Sequence, residues 1–303
     1  MSITVLKGMK VIGSAFVEFI PNRFFKKIEE ISIFKRGMGG SGANIAIAEA
    51  RLGGKTALVT KVGDDPFGNF IVEGLKRENI DTKYVEKEAG YKTGLSFYEI
   101  DEIGNSNYHF YRFPGTSRPE ENIDLSGIGF SKNEAVSLTE AAIRGELEIL
   151  DYLEGTRIFY EPNIRKDFWS EKLREKTMNV VKKCYAMLPN RNELKLITKE
   201  KEIKKGAETL LKYLSLVVVK MGKEGAEIFT ENERIRVEGI NISPKFEIGA
   251  GDTFHGAFVV EFSKSGDLEE ALRSANFAAA FRVGKGRFPE RKELEDFIHL
   301  SPR

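Results

Sequence analysis

One cysteine, three histidines and no glutamine occur in the 303 residues, and no apolar run reaches the 18 residues of a membrane span. A lone Cys184 excludes an internal disulfide and any cysteine-based metal cluster; between "VVKK" and "YAML" it reads as a small buried hydrophobe. His109, His255 and His299 show no metal-ligand spacing, so each reads as a partly buried or surface histidine and no zinc site is expected. The N-terminus has no charged region leading into an apolar stretch, and a soluble, cytoplasmic protein is expected. An excess of either charge is lacking too. The 47 Lys and Arg oppose 46 Asp and Glu for a net +1, which gives no argument for a nucleic-acid or membrane partner. The missing glutamine beside abundant Lys and Glu fits a thermophile's avoidance of labile amides. No Gly-x-x-x-x-Gly-Lys-Ser/Thr loop and no Gly-x-Ser-x-Gly elbow occur, which disfavours a P-loop nucleotide enzyme and a serine hydrolase.

The residues that are present alternate between strand-like and helix-like runs. "TALVTKVG" (56–63) reads as a buried strand, and 66–79 sets Phe67, Phe70, Ile71 and Leu75 on one helical face. Strand-like "RIFYEPN" (157–163), "YAMLPN" (185–190) and "LVVVKMG" (216–222) alternate with helices over 169–183 and 201–213. Helices at about 250–264, 268–281 and 289–298 close the chain. The pattern predicts an α/β fold with a mostly parallel central sheet flanked by helices. Two β-rich regions, about 14–36 and 91–113, have no helix between their strands. They are expected to form a small antiparallel sheet inserted into a single unit over 1–303, placed as a lid.

Polar clusters fall just past strands or turns, at the edge where open α/β sheets bind ligands. They are Asn163 to Arg165, Asn190 with Glu193, Gly222 with Gly225, and "GAGD" at 249–252. In the last, Gly249, Ala250 and Gly251 allow tight curvature and close approach, and Asp252 follows where a helix begins. Asp252 is then either a helix cap or the neighbour of a bound anion. Gly37-x-Gly39-x-x-Gly42, with Asp64 further on, matches the dinucleotide fingerprint in form only, because a strand at 11–13 and a β-rich insert precede it. Gly39 and Gly40 would let backbone amides approach a ligand, with Asn44 offering a side-chain amide from the helix start; a glycine-rich helix start without a ligand is the other reading.

Two motifs together resemble the ribokinase-like (PfkB) carbohydrate kinases. One is Gly39-Gly40-x-x-x-Asn44-x-Ala46 with Leu52-Gly53 and "KVGDDPFG"; the other is Gly249-Ala250-Gly251-Asp252-Thr253-Phe254. "VIGSAFVEFI", "FYR" (110–112), "EPNIRKDFW" (161–169), "NRNE" (190–193), "KMGKEG" (220–225) and Asn276 follow in the family's order, so the resemblance spans nearly the whole chain. It implies a ribokinase-like fold, ATP and Mg²⁺ as cofactors, and transfer of the γ-phosphoryl group to a sugar hydroxyl. By the resemblance, Asp252 is the general base, and amides of Ala250, Gly251 and Asp252, with Gly249, form the anion hole. Glu18, Gly39, Gly40, Asn44, Arg112, Asn163 and Arg165 face the sugar. Asn190, Lys220, Gly222, Gly225 and Asn276 hold the nucleotide, and Glu193 reaches the metal through water. The partners expected are a small sugar and ATP, with a homodimer formed through the lid.

The chain departs from the family pattern at several of these places. Ser14 stands where an acid is usual, and Glu18 replaces the sugar-binding Asp. Phe246-Glu247 replaces Asp-Thr, Glu161-Pro162-Asn163 replaces Asp-Pro-Asn, and Lys220 replaces a Thr or Ser, as a cation able to reach phosphate or pair with Glu247. "FYRFPG" and the Asn-x-Arg-x-x-x-Trp of 163–169 resemble fructokinases, so fructose is the leading substrate. A 2-keto-3-deoxygluconate kinase is the second reading, with Arg112 and Arg165 as the cations for its carboxylate. From another class, a sugar- or nucleotide-binding regulator of the same fold would retain the motifs without turnover.

Overall fold

Short runs of β-branched and aliphatic residues alternate with helices over much of the chain. The computed structural model describes residues 8–22, 27–100, 106–111, 123–143, 147–164, 169–243 and 245–300. In order come β1 (Met9–Ile12), β2 (Phe16–Pro21), β3 (Phe34–Gly39), α1 (Ser41–Arg51), β4 (Thr56–Gly63), α2 (Pro66–Arg77), β5 (Val85–Glu88), β6 (Leu95–Ile100) and β7 (Ser106–Tyr111). Next are β8 (Ala135–Thr139), α3 (Glu140–Ile143), β9 (Arg157–Glu161), α4 (Glu171–Val181), β10 (Ala186–Met187), α5 (Arg191–Thr198), α6 (Ile203–Leu211) and β11 (Leu216–Lys220). The hairpin β12 (Ala226–Phe229) and β13 (Arg234–Val237) leads to α7 (Ala250–Ser265), α8 (Leu268–Lys285) and α9 (Arg291–Leu300).

Nine strands form one sheet in the order β13-β12-β11-β10-β9-β8-β1-β4-β5. The seven from β11 to β5 run parallel, and β12 and β13 add antiparallel at one edge. All eight residues of β4 and all five of β8 are buried, as a strand covered on both faces requires. Successive side chains serve opposite faces. Ile12 and Val59 join the core beneath α3 to α6, through Ile143, Val180, Ile197 and Leu210. Val11 and Leu58 pack with Ile45, Ile71 and Leu75 of α1 and α2. Helices α7 to α9 cover the β8 to β12 part of the sheet with Phe258, Leu272 and Leu294. Among the described residues, no helix is long and apolar enough to cross a membrane.

The two β-rich regions do form a separate four-stranded sheet, ordered β3-β2-β6-β7. It differs from the expected antiparallel arrangement in its centre. β2–β3 and β6–β7 are antiparallel pairs, but β2 and β6 pair in parallel, Val17 opposite Leu95. β2 follows β1, and β6 follows β5, each leaving the same edge of the large sheet, so the two enter the small sheet in one direction. Strands β8, β12 and β13 and helix α5 are elements that the sequence reading did not separate out. β8 is five residues long and is recognisable as a central strand only by its pairing with β1 and β9.

Candidate active site

The C-terminal ends of the parallel strands gather polar residues in one place. Gly13 and Ser14 follow β1, Thr139 ends β8, Glu161 ends β9, Asn190 lies past β10 and Lys220 ends β11. Helix α1 starts against the first of these. A Cβ built on Gly42 would lie 2.6 Å from the Gly13 carbonyl carbon, so only glycine allows the helix start to sit on that loop. Gly40 has φ +98° and would place a Cβ 2.4 Å from the Ser14 oxygen, a position barred to other residues twice over.

Helix α7 begins beside α1. Gly249 is its N-cap, in the left-handed region at φ 78°, with no side-chain cap. Asp252 is therefore not the cap; it lies in the first turn, and its Oδ2 accepts from Asn44 Nδ2 at 2.9 Å. One turn further along both helices, a Cβ built on Gly256 would lie 2.8 Å from the Ala48 Cβ. That close approach is what brings Asn44 to Asp252. The Ala250 amide, expected in the anion hole, donates to the Glu247 carbonyl at 3.2 Å.

Glu18 reaches over this junction from the small sheet. A Cβ built on Gly39 would lie 1.8 Å from the Glu18 carboxyl carbon, so the carboxyl rests on bare backbone. Burial pushes Glu18 up to about 7, with Asp252 adding to the rise, while the Tyr98 hydroxyl, the Arg282 charge and the Gly40 amide pull the other way. Arg282 of α8 had no place in the sequence reading; the only signal is a single arginine in the apolar run "AAAFRVG". Its Nε donates to the Ile248 carbonyl at 3.0 Å and its Nη1 to Gly286 at 3.1 Å, with the faces of Phe246 and Phe288 against the guanidinium. Burial pulls its pKa down, and Glu18 and Asp252 act in the opposite sense. Arg282 thus tolerates two acids side by side.

The remaining expected residues lie on the other flank. Lys220 pairs with Glu161, Nζ to Oε1 2.5 Å, and not with Glu247 as one expectation had it, because Glu161 ends the second strand over, across the short β10. His255 is fully buried, not at the surface, with its Nδ1 3.1 Å from Glu161. Asn190 caps α5 by accepting from the Asn192 and Glu193 amides. Glu193 returns the bond to the Asn190 amide at 2.7 Å and takes the Ile164 amide at 2.9 Å on its other oxygen. Burial first, and the Glu161 charge, raise Glu193 to about 7 against the pull of Lys220. Asn163, two residues past β9, holds φ 39°, a left-handed conformation that Asn tolerates better than most. Arg112 and Arg165 lie outside the described residues.

Gly222 and Gly225 bracket a tight turn after β11. Gly225 is required by packing, since a Cβ there would meet the Val237 oxygen at 2.0 Å, whereas a Cβ on Gly222 would face open space. Asn276 donates to the Glu238 carbonyl at 2.8 Å. It lines a cavity of about 840 Å³ with Gly239, Ile240, Arg273, Phe277 and Phe297, large enough for a nucleoside. Among the described residues, no cluster of three His, Cys, Asp or Glu is placed to hold a metal ion.

The pfkB family carbohydrate kinase profile matches residues 7–287. The chain belongs to the PfkB carbohydrate kinases. Among relatives of this family it is 30% identical to a deoxyribokinase of Salmonella typhi, over 96% of this chain and 98% of that one. It is 29% identical to a probable fructokinase-2 of Arabidopsis thaliana, over 92% and 91%. In fold it is similar to a fructokinase from Vibrio cholerae O395 crystallised with fructose, ADP and calcium ion, with a TM-score of 0.83 and 24% identity, over 97% of this chain and 99% of the other. As a PfkB kinase it has the ribokinase-like fold, and the carbohydrate-kinase activity expected from the two glycine-rich motifs belongs to the family as a whole.

Proposed function

We propose that this PfkB kinase transfers the γ-phosphoryl group of ATP to a hydroxyl of a small sugar, with fructose as the leading acceptor. The observation that carries the reading is the Asn44–Asp252 contact at the start of α7, 2.9 Å long and beside Glu18. The acceptor hydroxyl gives its proton to the Asp252 carboxylate as its oxygen bonds to the γ-phosphorus; the bond from that phosphorus to the bridging oxygen breaks and ADP leaves. The Asn44 amide orients the carboxylate and stabilises its charge before the proton arrives. Donors at the first turn of α7, with Gly249 and Gly251 allowing close approach, face the charge that develops on the phosphoryl oxygens. The Ala250 amide joins them by exchanging its turn bond.

Glu18, Gly39, Gly40 and Asn163 line the acceptor side, and the family resemblance assigns Arg112 and Arg165, outside the described residues, to the same sugar. Asn190, Gly222, Gly225 and Lys220 follow the nucleotide, whose base fits the cavity beside Asn276. Mg²⁺, when bound with the nucleotide, neutralises phosphate charge. Each Glu193 oxygen accepts one backbone amide, and Glu193 would hold that ion through water, which suits a cation that keeps most of its water shell. The small sheet acts as a lid over the acceptor, and the exposed Ile33, just before β3, and Tyr111 of β7 are where a second copy would meet the first.

Glu18 and Asp252 on the acceptor side suit the hydroxyls of a neutral sugar, and the resemblance to fructokinases sets fructose ahead of a sugar acid. The decisive experiment measures ADP release by the purified protein with ATP and Mg²⁺. The panel is fructose, ribose, deoxyribose and 2-keto-3-deoxygluconate. The expected result is the highest kcat/KM on fructose. Preference for deoxyribose or for the acid would replace the acceptor and keep the chemistry; no ADP release on any sugar would remove the proposal.

A further inference from the structure

Lys220 closes β11, and its ammonium reaches the first turn of α7: a Cβ built on Gly251 would lie 3.5 Å from Nζ. The ammonium is anchored from one side. Nζ donates to Glu161 Oε1 at 2.5 Å, and both side chains are nearly sealed from solvent, 11% and 4% exposed. The other Glu161 oxygen lies 3.1 Å from His255 Nδ1. Burial, with the Lys220 charge adding to it, holds the His255 imidazole well below its ordinary range, at about 3, so the ring is neutral. A neutral ring has one N–H to give. Facing a carboxylate, Nδ1 is the nitrogen that carries it, an assignment made from the hydrogen-bond network. Nε2 then stands without a hydrogen-bond partner among the described residues.

A chain of contacts therefore runs from within α7, through Glu161, to an ammonium at that helix's own beginning. As a stabilising device it is poor. Desolvating two ions offsets much of their attraction, and apolar residues of similar size would fill the space as well. The placement is worse still, because a helix start carries partial positive charge and disfavours a cation. An anion between the ammonium and the helix start reverses that balance, since both then attract it. Lys220 has three donors, and Glu161 engages one of them.

We infer that Lys220 is the cation that contacts the transferring phosphoryl group at the start of α7, and that Glu161 and His255 are positioning residues that hold its ammonium there. The inference rests on the kinase reading above and specifies which group on the chain meets the γ-phosphate. Charge spreads over the phosphoryl oxygens as the group passes between its two oxygens, and a cation already fixed in place needs no reorganisation to meet it.

The test compares ATP and ADP binding by calorimetry, with Mg²⁺, in the wild type and in Lys220→Met, Lys220→Arg, Glu161→Gln and His255→Asn, alongside steady-state kinetics on the best sugar. Lys220→Met should weaken ATP by about tenfold or more while ADP changes by less than about threefold, and should lower kcat by about 10² or more. Lys220→Arg should recover part of the preference for ATP. Glu161→Gln and His255→Asn should lower kcat with little change in the KM of the sugar. A purely structural Lys220 would weaken ATP and ADP equally; that result, or an unchanged kcat, overturns the inference. Should Lys220→Met fail to fold, Lys220→Arg and Glu161→Gln decide, and wild-type kcat in both overturns it. A wild type that binds ATP but phosphorylates no sugar defeats the kinase reading above, and the ATP–ADP comparison in Lys220→Met still decides whether Lys220 meets the γ-phosphate, because it needs no sugar.

Discussion

Adding a single methyl group at Gly39 should disable the acceptor side, through Glu18 and nothing else. A Cβ there would lie 1.8 Å from the Glu18 Cδ and 1.9 Å from Oε1, where ordinary contact begins at 3.4 Å. The carboxyl must therefore retreat by about 1.6 Å, the difference between 3.4 and 1.8. The backbone offers no relief. Gly40 is itself in the left-handed region and pressed on the Ser14 oxygen. A shift of that size breaks a hydrogen bond between the carboxylate and a substrate hydroxyl, worth about 1.5–3 kcal/mol for a charged acceptor. At 1.4 kcal/mol per decade, Gly39→Ala should lower kcat/KM by about 10- to 150-fold. In a Glu18→Ala background the obstacle is gone, and the same change should cost under about 0.5 kcal/mol. The assay is a double-mutant cycle: kcat/KM for the four proteins on the sugar that the panel identifies, with thermal midpoints to exclude general damage. Equal losses from Gly39→Ala in both backgrounds would refute the reasoning, as would a wild-type single mutant.

Asp252→Asn should leave ATP binding nearly intact and lower kcat by about 10²–10⁴, as for a lost general base; near-wild-type turnover would remove Asp252 from that role. Glu49 gives a pH prediction away from the site. It is fully buried in α1, accepts from the Ser137 and Thr56 hydroxyls, and is pushed by burial up to about 7. An acid raised from 4.5 to about 7 in the folded state costs no stability below the lower value and its full penalty above the upper one. Glu49→Gln should therefore gain on the wild type between pH 5 and 8, by up to about 3 kcal/mol in denaturant unfolding; a difference independent of pH would reject it. Hydrogen exchange in β2, β3, β6 and β7 should slow on saturation with a verified sugar, as for an element that closes; unchanged exchange in all four strands would reject the lid.

Much of the fold was legible because periodicity and burial speak locally. A continuous apolar run such as "LVVVK" announces a strand covered on both faces, and the strand–helix alternation implies the parallel sheet. The resemblance carried by "GGSGAN" and "GAGDTF" likewise named the family and most of the residues that gather at the sheet's edge. Pairing was not legible. The parallel β2–β6 contact joins segments more than 70 residues apart, and nothing in either strand states the direction of its partner. Partners of charges were equally hidden: Lys220 faces Glu161 and not Glu247, and Arg282, from the last turn of α8, comes to balance Glu18 and Asp252. Local residue types determined that this chain would have a glycine-rich turn followed by an acid at a helix start, because backbone freedom and helix geometry act within a few residues. Only the tertiary structure decided that the acid would meet Asn44, because that contact depends on two helices 208 positions apart approaching closely enough at Gly256 and Ala48, and packing across the fold alone sets that distance.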